Sequence, residues 1–170
     1  MKKQVLFICF FLPLIAIGLF SCGMYTLSGA SVSSDVKNVT VKTFTNQASI
    51  VVPSLSEKLT EKLKDKFLKE MNLSLVEDNG DLTFRGAITD YKVGPSSISS
   101  NDVSKTSRLT ISVRVKFENI KEPKLNYENV FTSYMDFDST KDLSQVENEL
   151  IDGITDILVQ DIFNKAVNNW

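Results

Sequence analysis

Apolar and polar positions divide the chain into one continuous apolar block followed by a series of amphipathic segments. The block runs from Val5 to Phe20 and is interrupted by Pro13. Beyond it, Val36 to Phe44 alternates, with Val39, Val41 and Thr43 on one side and Thr40, Lys42 and Phe44 on the other. A period of two predicts a first strand. Leu55, Leu59, Leu63 and Phe67 then recur every four residues, joined by Leu68 and Met71. That spacing predicts a helix with one apolar face. Ser54 and Glu57 stand at capping-box spacing at its start.

The second half is mostly strand. Leu73 to Glu77 is a short extended piece, and Asp78-Asn79-Gly80-Asp81 has the composition of a tight turn. Leu82 to Val93 predicts a long strand with Leu82, Phe84 and Ile88 on one face. Gly86 in its middle marks a bulge or a close backbone approach. A Ser-rich stretch, Gly94 to Ser104, separates it from the clearest alternation in the chain, Thr106 to Asn119. There Leu109, Ile111, Val113, Val115 and Phe117 oppose Thr110, Ser112, Arg114, Lys116 and Glu118. One face is buried and one is wet, and Val113 points between sheet and helices. Lys121 to Lys124 turns the chain into a last strand, Asn126 to Asp136. A closing helix starts near Ser144, with Glu147 at capping-box spacing, and runs toward Asn168. Its stripe is Val146, Leu150, Ile154, Ile157, Leu158, Ile162 and Phe163, and Gly153 has a packing reason to be there. The pattern predicts an α+β two-layer sandwich: a mostly antiparallel four-stranded sheet with two helices packed on one face.

The start has the form of a secretory signal: Met1-Lys2-Lys3, the apolar block, then Ser21 before a cysteine. The block is shorter than the roughly 18–20 residues of a spanning helix. Leu19-Phe20-Ser21-Cys22 resembles the lipobox of bacterial lipoproteins. The resemblance implies cleavage before Cys22 and acylation of its thiol and amine. Two or more acyl chains anchor stably where one does not. Gly23 stands where an aspartate would favour the inner membrane, and no acidic cluster resembling a surface-export signal follows. The expected organisation is a signal peptide over 1–21, a lipidated tether over 22–35 and a folded domain over 36–170. The expected address is the outer membrane, lipid-anchored on the periplasmic side.

Composition narrows the chemistry. The 170 residues hold 21 Asp+Glu against 19 Lys+Arg, and Lys2 and Lys3 leave with the signal. An acidic domain without a basic stripe argues against nucleic acid. There is no histidine, which removes the usual nucleophilic triads and the commonest transition-metal ligand. Cys9 leaves with the signal and Cys22 carries lipid, so the domain has no disulfide and no thiolate for zinc. No catalytic residue, metal or cofactor is expected, and a carboxylate-based hydrolase is the least favoured class. The charges of the first helix, Lys58 to Glu70, alternate in sign and read as a solvated, ion-paired face. Asp136 and Asp138 near Lys141 read as a solvated turn, and Asp138-Ser139-Thr140 resembles a short O-glycosylation sequon of Bacteroidetes periplasmic proteins.

Three stretches with this order of elements carry a family resemblance. They are Cys22-Gly23-Met24-Tyr25 leading to Ser28-Gly29-Ala30, the strand Leu109-Thr110-Ile111-Ser112-Val113, and Asp161-Ile162-Phe163-Asn164-Lys165-Ala166. Together they resemble the LPS-assembly lipoprotein family LptE in its Bacteroidetes form. The resemblance implies a non-enzymatic plug inside the β-barrel LptD, which helps that barrel assemble and binds lipopolysaccharide in transit. A barrel lumen is polar, which suits a plug with a wet sheet face. The family places ligand-binding basic residues before the long third strand and ahead of the last helix. At or near those places this chain has Lys105, Arg108 and Lys141. The other reading is a free-standing periplasmic lipoprotein that binds lipid or polysaccharide without a barrel, whose sign would be a large apolar cavity.

Overall fold

The strand with the cleanest alternation lies inside the sheet and sets the packing of the rest. The computed structural model describes residues 33, 35–96 and 106–167, within the unit Ser31–Trp170. The signal segment 1–21, nearly all of the tether, Cys22, Gly23 and Lys105 lie outside the described residues. The elements are β1 (Asn38–Val41), β2 (Thr45–Asn46), α1 (Pro53–Met71), β3 (Ser74–Leu75), β4 (Leu82–Pro95), β5 (Thr106–Asn119), a 3-10 turn (Pro123–Leu125), β6 (Tyr127–Asp138) and α2 (Leu143–Val167).

The sheet has the order β3-β1-β4-β5-β6, with β2 also pairing β4. Its long strands β4, β5 and β6 are antiparallel, whereas β1, β2 and β3 pair in parallel. It is therefore mixed, with six strands rather than four, because the two shortest strands leave little alternation to read. Both helices cover one face, and a single core lies between the layers. Leu55, Leu59, Leu63 and Phe67 of α1 have no exposed surface, nor do Leu109, Ile111, Val113 and Val115 of β5. Each side chain buried this fully contributes about 1.5–3 kcal/mol. Phe67, Phe84, Phe117 and Tyr127 form a chain of rings with centroids 4.6, 4.8 and 5.1 Å apart from one to the next.

Local readings are refined at several points. Phe44, which strict alternation puts opposite Val39 and Val41, joins them in the core at 1% exposure. The chain breaks between β1 and β2, and the Phe44 N–H donates to Thr60 Oγ1 of α1 at 3.1 Å. Its ring lies over Gly86, where a Cβ would sit 2.7 Å from Phe44 Cε1 and 2.1 Å from the Arg114 carbonyl oxygen. Gly86 thus marks a close approach, and the bulge falls later, between Ile88 and Asp90. Asn79 takes a positive φ of 56° in the turn before β4.

Neither capping box forms. Pro53 occupies the first turn of α1 and Val52 is the N-cap, so Ser54 is already inside the helix. α2 likewise begins at Leu143, ahead of Ser144, and the Glu147 carboxylate accepts from the Tyr91 hydroxyl at 2.6 Å. On α2, Ile151 and Val159 are buried while Ile157 is 45% exposed. Gly153 leaves room for Met135, whose Sδ would lie 2.4 Å from a Cβ there. No helix among the described residues is long and apolar enough to cross a membrane.

Candidate ligand-binding end of the sheet

The topology brings the basic residues implied by the resemblance toward one end of the molecule. β5 begins at Thr106, which pairs with Asp138, the last residue of β6. Arg108 is two residues into β5, opposite Asp136. The chain then turns, with the Lys141 N–H donating to the Asp138 carbonyl at 3.0 Å, and enters α2. Arg108 and Lys141 therefore share this end, and Lys105 directly precedes Thr106 in sequence but lies outside the described residues.

Arg108 sits on the wet face and is firmly oriented. Its Nε donates to Asp136 Oδ1 at 2.7 Å and its Nη2 to Oδ2 at 3.0 Å, and its guanidinium lies 3.7 Å from the centroid of the Tyr134 ring. The bond to Asp136 raises Arg108 above its ordinary pKa, and the same pair holds Asp136 below the usual carboxylate range. A bidentate pair uses two of the five guanidinium donors, leaving three for an incoming anion. The aromatic plate and the carboxylate limit the rotamers open to Arg108, so it presents those donors in a fixed direction.

Lys141 is exposed on the turn. Asp138 beside it accepts from the Thr140 N–H at 2.9 Å and from its hydroxyl at 2.8 Å. The Thr140 backbone bond first, then the hydroxyl and the Lys141 charge, hold Asp138 below its ordinary pKa. Across the opening of the β4–β5 connection, the Ser96 N–H donates to the Thr106 carbonyl at 3.1 Å, and the two hydroxyls also bond.

A second basic cluster lies on the same wet face. Arg85, Arg114 and Lys116 line a shallow outer-face depression of about 410 Å³ together with Lys42, Thr45 and Glu128. Glu118 is held below the usual range first by Lys116 at 3.1 Å and then by Arg85 at 2.5 Å. The Arg114 side chain has no hydrogen bond or ion pair among the described residues. The alternation of β5 did place Arg114 and Lys116 on the wet face. Arg85 joins them through the β4–β5 register, which sets it opposite Lys116. No group of three or more His, Cys, Asp or Glu suited to a metal occurs among the described residues.

Solved structures share this fold, among them the following two. One is the hypothetical protein CT253 from Chlamydia trachomatis, with TM-score 0.55 and 10% identity, covering 76% of this chain and 95% of that one. The other is a minor lipoprotein from Acinetobacter baumannii, with TM-score 0.52 and 16% identity, covering 79% of this chain and 95% of that one. No curated protein matches the sequence. The family model described as LptE, lipopolysaccharide-assembly, matches residues 36–166, from just ahead of β1 to one residue short of the end of α2. With the sheet, both helices and most of its length inside that match, the chain belongs to the LptE lipopolysaccharide-assembly family, whose members are non-enzymatic lipoproteins.

Proposed function

We propose that this chain is a Bacteroidetes-type member of the family that plugs an LptD-like β-barrel, helps it assemble and assists lipopolysaccharide on its way to the cell surface. Residues 1–21 are removed as a signal, Cys22 carries the lipid, 22–35 form the tether and 36–170 the plug. The anchor holds the domain to the periplasmic side of the outer membrane. The observation that carries this reading is the family match over 36–166. The wet sheet face supports it, since its strands present Thr110, Ser112, Arg114 and Lys116 outward, the hydrogen-bonding surface that a polar lumen accepts. Lipopolysaccharide carries phosphates, and Lys105, Arg108 and Lys141 are the cations proposed to meet them. The same turn presents Ser139 and Thr140, both exposed, as acceptor positions for a glycan. An intact mass showing only the lipid removes that modification.

The test is a mild-detergent pull-down of the tagged full-length protein, with bound proteins identified by mass. Stoichiometric recovery of one large outer-membrane barrel is the expected result. Recovery of the lipoprotein alone, under conditions that keep other barrel complexes whole, overturns the plug and moves the free-standing carrier to first place.

A further inference from the structure

The two edges of the sheet are finished differently. At one edge β3 is two residues long, and β1 is interrupted after four residues before β2 resumes. Little unpaired backbone is offered there. At the other edge β6 runs for twelve residues, paired to β5 in one register without a bulge. Among the described residues the backbone along its outward side is bonded only at its very end, where the Asp138 carbonyl accepts from the Lys141 N–H.

A long edge of this kind is ordinarily protected by charged side chains, lysine above all, by a proline, by a bulge or by a covering segment. β6, Tyr127 to Asp138, contains no lysine, arginine, proline or glycine. Its side chains are also left half covered. On the wet face Val130 is 57% and Tyr134 51% exposed, and on the helix side Phe131 and Phe137 are half-buried. A further strand would supply both the missing backbone partners and the missing neighbours.

We infer that β6 is a docking edge to which an extended basic segment of a partner protein adds as a further strand. Charge selects this occupant over a second copy. The charges of β6 are Glu128, Asp136 and Asp138, all acidic and all on the wet face. An antiparallel self-pairing has to match wet face with wet face. Centred on Thr132 it sets Glu128 opposite Asp136, and centred on Ser133 it sets Glu128 opposite Asp138. Like charges directly opposite are destabilising. Asp136 already has Arg108, whereas Glu128 has no ion pair among the described residues. The segment that fits carries a lysine or arginine opposite Glu128 and β-branched or aromatic residues opposite Val130 and Tyr134. The inference does not rest on the barrel reading and stands or falls separately from it.

The test uses the full-length lipidated protein in detergent micelles. The probe is a synthetic peptide with the sequence of β5, Thr106–Asn119, which carries Arg108, Arg114 and Lys116 and already pairs with the inner edge of β6. Amide hydrogen exchange is followed along the whole chain. Binding should slow exchange by about tenfold or more at alternate β6 positions, those with outward amides, and leave α1 unchanged. The variant Glu128→Lys should weaken the basic peptide by about tenfold and make the protein self-associate, since the new charge then meets Asp136. Three results overturn the inference: no protection of β6 at millimolar basic peptide, equal protection by a peptide with its cations replaced by glutamate, or a wild-type protein that sediments as a dimer joined through β6.

Discussion

Two glycines of β4 separate close packing from open space at the scale of one atom. A Cβ on Gly86 would collide with the Arg114 carbonyl and the Phe44 ring, whereas nothing lies within 4 Å of one on Gly94. Gly86→Ala should therefore cost about 1–3 kcal/mol, the range for overpacking, while Gly94→Ala should stay within about 0.5 kcal/mol of the parent. Paired urea melts of the two variants check this. Val113 has no exposed surface and sits between sheet and helices. Val113→Asp buries an unpaired carboxylate, at a cost of several kcal/mol, against a total stability of about 5–15 kcal/mol for a domain. Its cooperative thermal transition should be lost, and an unchanged melt would mean the faces of β5 are reversed. Val113 was legible in the chain because strict alternation over fourteen residues admits one inward set. Phe44 was not, because a break in a strand shifts the face of every residue after it.

Elements are held together by polar contacts that periodicity does not report. Asp81 Oδ2 accepts from the Lys37 N–H at 2.8 Å and the Asn38 N–H at 3.3 Å, tying the start of β1 to that of β4. The Lys37 backbone bond chiefly, with Lys121 adding to it, holds Asp81 below its ordinary pKa. A depressed carboxylate contributes stability that is fully present above its unfolded pKa, about 3.9, and lost as pH falls through the folded value. Stability should thus fall as pH drops below about 4, and Asp81→Asn should flatten part of that slope while lowering stability at pH 7. Denaturant midpoints across pH measure both. The two helices are laced by Lys62, which bonds Asp152 at 2.9 Å and Asp156 at 2.5 Å, and by Lys66, which bonds Gln160 at 2.7 Å. Burial alone would lower the Lys62 pKa, but its bonds to Asp156 and Asp152 outweigh that and raise it. Exposed pairs are worth about 0–1 kcal/mol, so Lys62→Met should cost less than about 1 kcal/mol and reduce the salt dependence of the melt. The alternating charges of α1 were readable as a paired face, but their partners on α2 depend on how the helices cross.

For the whole molecule, the end where β5 starts and β6 stops is the place to separate ligand binding from folding. Arg108 lies on the wet face and Lys141 is on an exposed turn, so Arg108→Ala and Lys141→Ala should leave the melting temperature within a few degrees of the parent. Combined with Lys105→Ala, they should weaken lipopolysaccharide binding by about tenfold or more, since each charge-assisted hydrogen bond lost is worth about 1.5–3 kcal/mol. Full-strength binding by the triple variant would instead direct attention to the cluster of Arg85, Arg114 and Lys116.

The chain by itself determined the α+β class, the three long strands and the two helices. Each shows its own hydrophobic period over a dozen residues or more, and burial on one face is what writes that period into sequence. Only the tertiary structure decided the parallel edge, because two-residue strands such as β2 and β3 carry no period and are held by backbone bonds to neighbours. It also decided the helix starts, since α1 opens on Pro53 and α2 on Leu143, which puts Ser54 and Ser144 inside the helices rather than at their caps. The meeting of Arg108, Asp136 and Tyr134 belongs to the same class. Arg108 is more than twenty positions from Tyr134 and Asp136, and the three become one site through the antiparallel register of β5 and β6, which long-range packing of the shared core holds in place.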